Sequence, residues 1–134
     1  MTELADNVRA YLEDVHLCVI ATTSRDGSPH VAGLWYELRG DSIVMNTGTA
    51  SKKVRNLRRD PRASVIVMES NPPRHVSVDG RVTFDEEHVL EDLRSLATRY
   101  FGQEAGPGIA ANIAKVPHIT LTLKIDKVRT FGKI

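Results

Sequence analysis

Residues 16–47, HLCVIATTSRDGSPHVAGLWYELRGDSIVMNT, decide the fold, because three strand-like segments follow one another there without an intervening helix. Asp26-Gly27 is typical of the turn between the first two segments, and RGD at 39–41 predicts the turn before the third. A doubly wound sheet needs helices that alternate regularly with strands, which this stretch lacks. The stretch therefore predicts an antiparallel barrel with helical additions, and an open α+β sandwich is the alternative.

Helices are predicted on both sides of these strands. Thr2 is expected to cap a first helix that ends near Glu13, and a short helix is expected to begin near 49–51 and to end before Pro61. Residues 86 to about 101 carry an apolar stripe at helical spacing that ends before Gly102. GQEAGPG then predicts a loop, and a short helix is expected at 109–115.

Further strands follow the short second helix. RASVIVME at 62–69 predicts a fourth strand, and RHVSVDGRVTF at 74–84 predicts a fifth, in which Gly80 indicates a bulge or bend. PHITLTLKIDKVRTFGKI at 117–134 predicts one long strand or two consecutive strands. The chain is therefore expected to be mainly β, with about six strands and two or three helices.

Length and composition predict one soluble domain that spans 1–134. The chain has 134 residues, of which 41% are hydrophobic and 26% are charged. Cys18 is the single cysteine, so no intrachain disulfide is expected, and a small buried side chain is the preferred interpretation. No apolar signal region and no stretch of about 20 apolar residues is seen. A cytoplasmic protein without membrane contact is therefore expected.

Positive charge is concentrated in residues 46–65, NTGTASKKVRNLRRDPRASV. Six of the eighteen basic residues lie between Lys52 and Arg62, against one acid, Asp60, although the whole chain carries a formal charge of only +1. A strand that passes into a helix near Ser51 leaves backbone N–H groups without helical partners, and these groups favour a phosphate. The stretch therefore predicts a site for one compact anion.

Other interpretations of this stretch remain open. The hydroxyls could cap the helix while the basic residues form a solvated face, or the arginines could bind a row of nucleic acid phosphates. Nucleic acid is disfavoured because no aromatic residue is available to stack a base and the rest of the chain is net acidic. A membrane surface is disfavoured because Val54 and Leu57 are the only apolar residues available to insert.

Signatures of other chemistry are weak. The chain has no Gly-rich dinucleotide fingerprint and no Gly-x-Ser-x-Gly elbow. Its histidines are too scattered for metal-ligand spacing, so no metal is expected: His16, His30, His75, His88 and His118. Trp35 and Tyr36 point to opposite faces of a strand, so one of them can line a groove. The catalytic residues are left unassigned.

Several segments, taken in order, resemble the flavin-binding split-barrel superfamily of pyridoxamine 5′-phosphate oxidase. After an N-terminal helix these are VIATTSRDGSPHVAGLWYEL, IVMNTGTASKKVRNLRRDPRASV, SVDGRVTF and HITLTLKIDKVRTFG. Within this superfamily, SKKVRNLRRDPRASV at 51–65 resembles the branch that uses the deazaflavin coenzyme F-420 in place of FMN. The resemblance covers nearly the whole chain.

The resemblance implies a six-stranded antiparallel split β-barrel that forms a homodimer, with a cofactor in each of two grooves at the subunit interface. The family's phosphate-binding segment falls here on five residues: Asn46, Thr47, Ser51, Lys52 and Lys53. Asn56 lies one turn later. Lys53 is the foremost candidate of this set. The cofactor ring lies against the second strand in such proteins, which here places His30, Gly33 and Trp35 beside it. Gly33 allows close approach.

Two departures from the oxidases are visible. The chain ends at RTFGKI without their C-terminal Arg- and Trp-containing substrate segment, which disfavours vitamin B6 oxidation. PHVAGLWYEL offers no arginine for the FMN phosphate, which favours F-420 over FMN.

The expected function is that of a cofactor-dependent oxidoreductase, which reduces an unsaturated small molecule by hydride transfer from reduced F-420. Two alternatives stay open: an FMN-binding oxidoreductase of the pyridoxamine phosphate oxidase type, and a flavin or deazaflavin carrier without turnover.

Overall fold

The computed structural model describes residues 3–134, and across these residues the chain is mainly β with three helices. In chain order the elements are α1 Asp6–Glu13, β1 Cys18–Thr23, β2 Pro29–Leu34, β3 Glu37–Arg39, β4 Ser42–Gly48, α2 Lys52–Arg59, β5 Arg62–Ser70, β6 Pro73–Asp85, α3 Val89–Ile113 and β7 His118–Phe131. No helix within 3–134 is both long enough and apolar enough to cross a membrane.

All seven strands form one antiparallel sheet in the order β2-β1-β5-β6-β7-β4-β3. The antiparallel, mainly β prediction is confirmed, but the count of six strands is wrong. The sheet is open, with β2 and β3 at its edges. It curls, so that β2 also comes close to β4, although these two strands do not pair. The register shift between β6 and β7 at Asp79/Gly80 confirms the predicted bulge.

The seventh strand arises because PHVAGLWYEL is not one strand. It divides into β2 and β3 around Trp35 and Tyr36. The Tyr100 hydroxyl accepts a hydrogen bond from Tyr36 N at 3.0 Å and donates to His16 O at 2.5 Å. The backbone of Tyr36 is thus held by α3 rather than by a neighbouring strand, and the chain leaves one edge of the sheet to join the other.

One hydrophobic core fills the concave side of the sheet. Inward-facing residues alternate along the strands, as in β1, where Cys18 and Ile20 are buried. α1 and α2 cover this core with Leu12 and Leu57. The prediction for Cys18 is confirmed, and burial raises the pKa of its thiol to about 12.

The helices differ from the prediction at their ends. α1 ends at Glu13 as expected and begins at Asp6, with Ala5 at its N-cap; Thr2, the predicted cap, lies outside the described residues. In α3 the backbone leaves helical geometry at Gly102, which has a φ of 88°. The first helical segment ends there as predicted, but residues 103–108, QEAGPG, are helical rather than a loop.

The two segments of α3 pack against each other at Gly106. A Cβ atom at this position would lie 2.6 Å from Thr98 Cα, so only glycine permits the contact. Leu93, Ala97 and Ala110 form a second, smaller hydrophobic cluster here, separate from the main core. This cluster holds α3 over the outer face of β4.

Candidate functional site

A cleft of about 450 Å³ lies between α3 and the ends of β2 and β4. Its volume is in the range of pockets that hold small molecules and cofactors. Most of its wall is apolar, and the polar groups come from β4 and the start of β7. The lining residues are Leu17, Gly33, Leu34, Trp35, Asn46, Thr47, Gly48, Leu93, Leu96, Ile113 and His118.

Trp35 contributes an aromatic ring to the wall of this cleft. Trp35 stacks on Tyr100, with ring centroids 5.5 Å apart, and meets Phe101 edge-on at 5.4 Å. Phe101 is itself 51% exposed. A Cβ atom added at Gly33 would meet no atom closer than Cys18 O, at 3.9 Å, so there is open space beside the backbone of β2. A flat ring has both an aromatic partner and room to approach the β2 backbone here.

A polar chain runs from the cleft wall into α3. Asn46 Nδ2 donates to Thr120 Oγ1 at 3.2 Å, and Thr120 Oγ1 donates to Asp92 Oδ2 at 2.7 Å. Arg39 donates to the other oxygen of Asp92 at 2.8 Å and to Glu37 at 2.7 Å. Asn46 Oδ1 is buried and has no hydrogen-bond partner among the described residues.

The start of α2 leaves several hydrogen-bonding groups free. The first helical hydrogen bond runs from Arg55 N to Ser51 O at 3.3 Å, so the amides at 52–54 have no partner within the helix. Ser51 occupies the N-cap, yet its hydroxyl makes no capping hydrogen bond. The Ser51 Oγ atom is buried without a partner among residues 3–134. Such a corner favours an anion.

Lys53 is the cation that adjoins this corner. Its side chain is partly buried, and burial lowers the pKa of the ammonium below its ordinary value. In the described part of the chain it forms no hydrogen bond and no ion pair. A partly desolvated cation without a counter-ion is costly, and an anionic ligand removes that cost.

Lys52 and Asn56 lie on another side of α2. They line a second cleft of about 410 Å³ together with Arg55 and Arg59 of α2 and with four residues of the β1–β2 turn: Ser24, Arg25, Asp26 and Ser28. Asn56 is 3% exposed, and its amide donates to Thr22 Oγ1 at 3.1 Å. Arg59 donates to Thr23 O and thereby also ties α2 to β1. Asn56 thus stabilises the junction between α2 and β1.

The structure therefore divides the residues predicted for cofactor binding. It brings Gly33, Trp35, Asn46 and Thr47 to one cleft, whereas Ser51 and Lys53 do not line this cleft and follow Gly48 by three and five residues in the chain. His30 does not line this cleft. It lies on the opposite face of β2 from Gly33 and pairs with Thr22 of β1.

Sequence reasoning missed the part of the site that α3 and β7 contribute. Leu93 and Ile113 had been assigned only to helices, and His118 only to a strand. One signal was available for Thr120, since HITLTLK alternates polar and apolar residues and so places Thr120 on the face opposite the core.

Comparison with known proteins gives relatives with this fold. A curated protein from Mycobacterium tuberculosis, F420H(2)-dependent biliverdin reductase, is 22% identical over 99 residues, which are 74% of this chain and 71% of that protein. The solved structure of the conserved hypothetical protein Rv2991 from Mycobacterium tuberculosis is 25% identical, with a TM-score of 0.81 over 96% of this chain and 85% of that one.

A structure described as an F420 reductase is 21% identical, with a TM-score of 0.80 over 94% of this chain and 98% of that one. The family model described as pyridoxamine 5'-phosphate oxidase matches residues 4–133, nearly the whole chain. The resemblance seen in the sequence is thus confirmed, and the chain belongs to the pyridoxamine 5'-phosphate oxidase family.

Proposed function

We propose that this protein is an oxidoreductase that binds the deazaflavin coenzyme F-420 and reduces an unsaturated small molecule. The observation that carries the proposal is the start of α2, where Lys53 lacks a counter-ion and the buried Ser51 hydroxyl lacks a partner. Both are satisfied by one phosphoryl group. The relative that depends on F420H(2) supports this choice of cofactor.

The rest of the cofactor then extends from this corner into the cleft. Gly33 gives its ring access to the backbone of β2, and Trp35 supplies an aromatic wall. Asn46 and Thr47 lie between the ring and the phosphoryl group, and Lys52 and the arginines of α2 offer positive charge on the other side of the helix. When bound, the reduced coenzyme would supply a hydride to an unsaturated carbon of the substrate, and a proton from a side chain or water would complete the reduction. The apolar wall formed by Leu93, Leu96 and Ile113 excludes water from that transfer.

A binding titration tests the cofactor. F-420, FMN, FAD and haem are titrated into the purified protein, and F-420 is expected to bind most tightly. Tighter binding of FMN would assign the protein to the FMN-dependent alternative. Steady-state oxidation of reduced F-420 with a panel of enones, quinones and biliverdin then separates an enzyme from a carrier, because a carrier binds the coenzyme without turnover of any of these acceptors.

Lys53→Ala is expected to weaken F-420 binding by about 1–3 kcal/mol, the range of a charge-assisted hydrogen bond, and to leave the protein folded. The measurement is the dissociation constant at fixed salt. Lys133→Ala is the matched control, because it removes the same charge from an exposed position beside the C-terminus. Equal dissociation constants for the wild type and Lys53→Ala would place the phosphoryl group elsewhere.

We also propose that two copies of the chain associate through the outer face of the sheet. Three exposed apolar side chains lie on this face: Val31 at 63%, Met68 at 52% and Phe131 at 57% exposure. Met68 is paired with His75, which is paired with Phe131, so Met68 and Phe131 flank His75 on this face, whereas Val31 lies farther along the face, in register with Ser64 of β5. Apolar residues clustered in this way are typical of an interface.

Met68→Glu is expected to convert a dimer into a monomer, because it places a charge in the centre of the proposed interface. Sedimentation equilibrium measures the mass directly. Leu90→Glu is the control, since Leu90 is 40% exposed on α3 and does not lie on this face. A wild-type protein that sediments as a monomer at all concentrations would contradict the proposed dimer.

A further inference from the structure

The hydrogen-bond chain from Arg39 to Asn46 determines which atom of the Asn46 amide remains free. Asp92 is buried and forms an ion pair with Arg39, so its carboxylate acts only as a hydrogen-bond acceptor. Arg39, which is always a donor, occupies one of its oxygens at 2.8 Å. The other oxygen, 2.7 Å from Thr120 Oγ1, therefore takes the hydroxyl hydrogen of Thr120.

The use of the Thr120 hydroxyl hydrogen in the bond to Asp92 determines the direction of the hydrogen bond between Thr120 and Asn46. A hydroxyl has one hydrogen, so Thr120 Oγ1 can only accept from Asn46, and the amide must turn its Nδ2 group toward Thr120. The carbonyl oxygen Oδ1 is left without a partner, and it belongs to a residue of the cleft wall. A buried acceptor without a donor is unfavourable until a donor reaches it.

The acceptor character of Oδ1 restricts what Asn46 can bind. A phosphoryl group at neutral pH offers acceptor oxygens, which a carbonyl oxygen repels. Hydroxyl groups of a sugar-alcohol chain, or a ring N–H, offer the hydrogen that Oδ1 lacks.

We propose that Arg39, Asp92 and Thr120 are positioning residues that lock Asn46 as a hydrogen-bond acceptor for the non-phosphate part of the bound coenzyme. The inference rests on the proposed binding of a phosphorylated deazaflavin or flavin in this cleft. It adds a division of roles: Asn46 recognises an O–H or N–H donor, whereas Ser51 and Lys53 bind the phosphoryl group.

Two ligands separate these roles, F-420 and the same deazaflavin without its phosphoryl-bearing tail. Asn46→Ala is expected to weaken the binding of both ligands by the same factor, about 5- to 15-fold, the range of one hydrogen bond. Lys53→Ala is expected to weaken the binding of F-420 alone. Loss of F-420 affinity in Asn46→Ala without loss for the tail-free ligand would overturn the inference.

Variants of Thr120 and Asp92 test the positioning role. Thr120→Val removes the hydroxyl at nearly constant volume and is expected to weaken both ligands as Asn46→Ala does, whereas Thr120→Ser keeps the hydroxyl and restores wild-type binding. Asp92→Asn is expected to act like Thr120→Val, because an amide at 92 can donate to Thr120 and so release its hydrogen toward a turned Asn46.

The outcomes are distinguishable from a failure of the proposed function. A wild-type protein that binds neither F-420 nor FMN overturns both. A second outcome is that the wild-type protein binds F-420 and Asn46→Ala weakens this binding, whereas Thr120→Val and Asp92→Asn leave it unchanged. This outcome overturns only the positioning role. Denaturant unfolding of each variant checks that the measured fraction is folded.

Discussion

Replacing Gly80 with alanine is expected to lower the free energy of unfolding by roughly 3–5 kcal/mol. Gly80 lies at the bulge where β6 shifts register against β7. A Cβ atom there would overlap the Lys124 carbonyl oxygen, and it would lie 2.8 Å from Leu123 Cδ2 and 2.9 Å from the Lys124 carbonyl carbon. Two of these atoms are backbone, so relief requires the two longest strands to separate.

Denaturant unfolding followed by circular dichroism measures this effect. Gly33→Ala is the control, because an added Cβ at that strand position meets nothing closer than 3.9 Å. Its stability is expected to stay within about 1 kcal/mol of the wild type. If Gly80→Ala lost no more stability than Gly33→Ala, the close approach of β6 and β7 at the bulge would be wrong.

Replacing Gly106 with alanine is expected to act on the cleft rather than on the whole fold. The added methyl group would lie 2.6 Å from Thr98 Cα and 2.7 Å from Thr98 N, so the second segment of α3 must move away from the first. A small cluster around Leu93 and Ala110 holds these segments together. A stability loss of about 1–3 kcal/mol is expected, with at least a tenfold loss of F-420 affinity.

Gly108→Ala is the matched control for this variant. It lies in the same helical segment, and nothing lies within 4 Å of an added Cβ, so it is expected to be neutral or to stabilise the helix by up to about 1 kcal/mol. Hydrogen exchange locates the change: in Gly106→Ala, faster exchange is expected in α3 and unchanged exchange in the main sheet. Uniformly faster exchange would show that α3 and the sheet unfold together.

The fold was predictable wherever local sequence and tertiary structure agree. Asp26-Gly27 marks the first hairpin, and Gly80 marks the bulge, because each position requires a particular backbone. The break at Tyr36 was not predictable, because a hydrogen bond to Tyr100, 64 residues away, holds that backbone. GQEAGPG was interpreted as a loop from its glycines and Pro107, whereas packing against the first segment of α3 makes it helical.

The site was predictable only in part for the same reason. The unpaired amides at the start of α2 follow from a strand that passes directly into a helix, which is a local pattern. The partners of Asn46 are distant in sequence, since Thr120 is 74 residues away and binds Asp92 of α3. Asp92 had only been placed within a predicted helix, and no local signal shows that its carboxylate is buried.

The two edges of the open sheet differ in their exposure to unwanted pairing. β3 has three residues and carries Glu37 and Arg39, so it offers a short, charged template to another chain. β2 has six residues with alternating exposure and includes Val31 and Gly33, which carry no charge to oppose an incoming strand. Amyloid-like addition or a domain swap would therefore begin at β2, and crowding of this protein during overexpression is most hazardous along that edge.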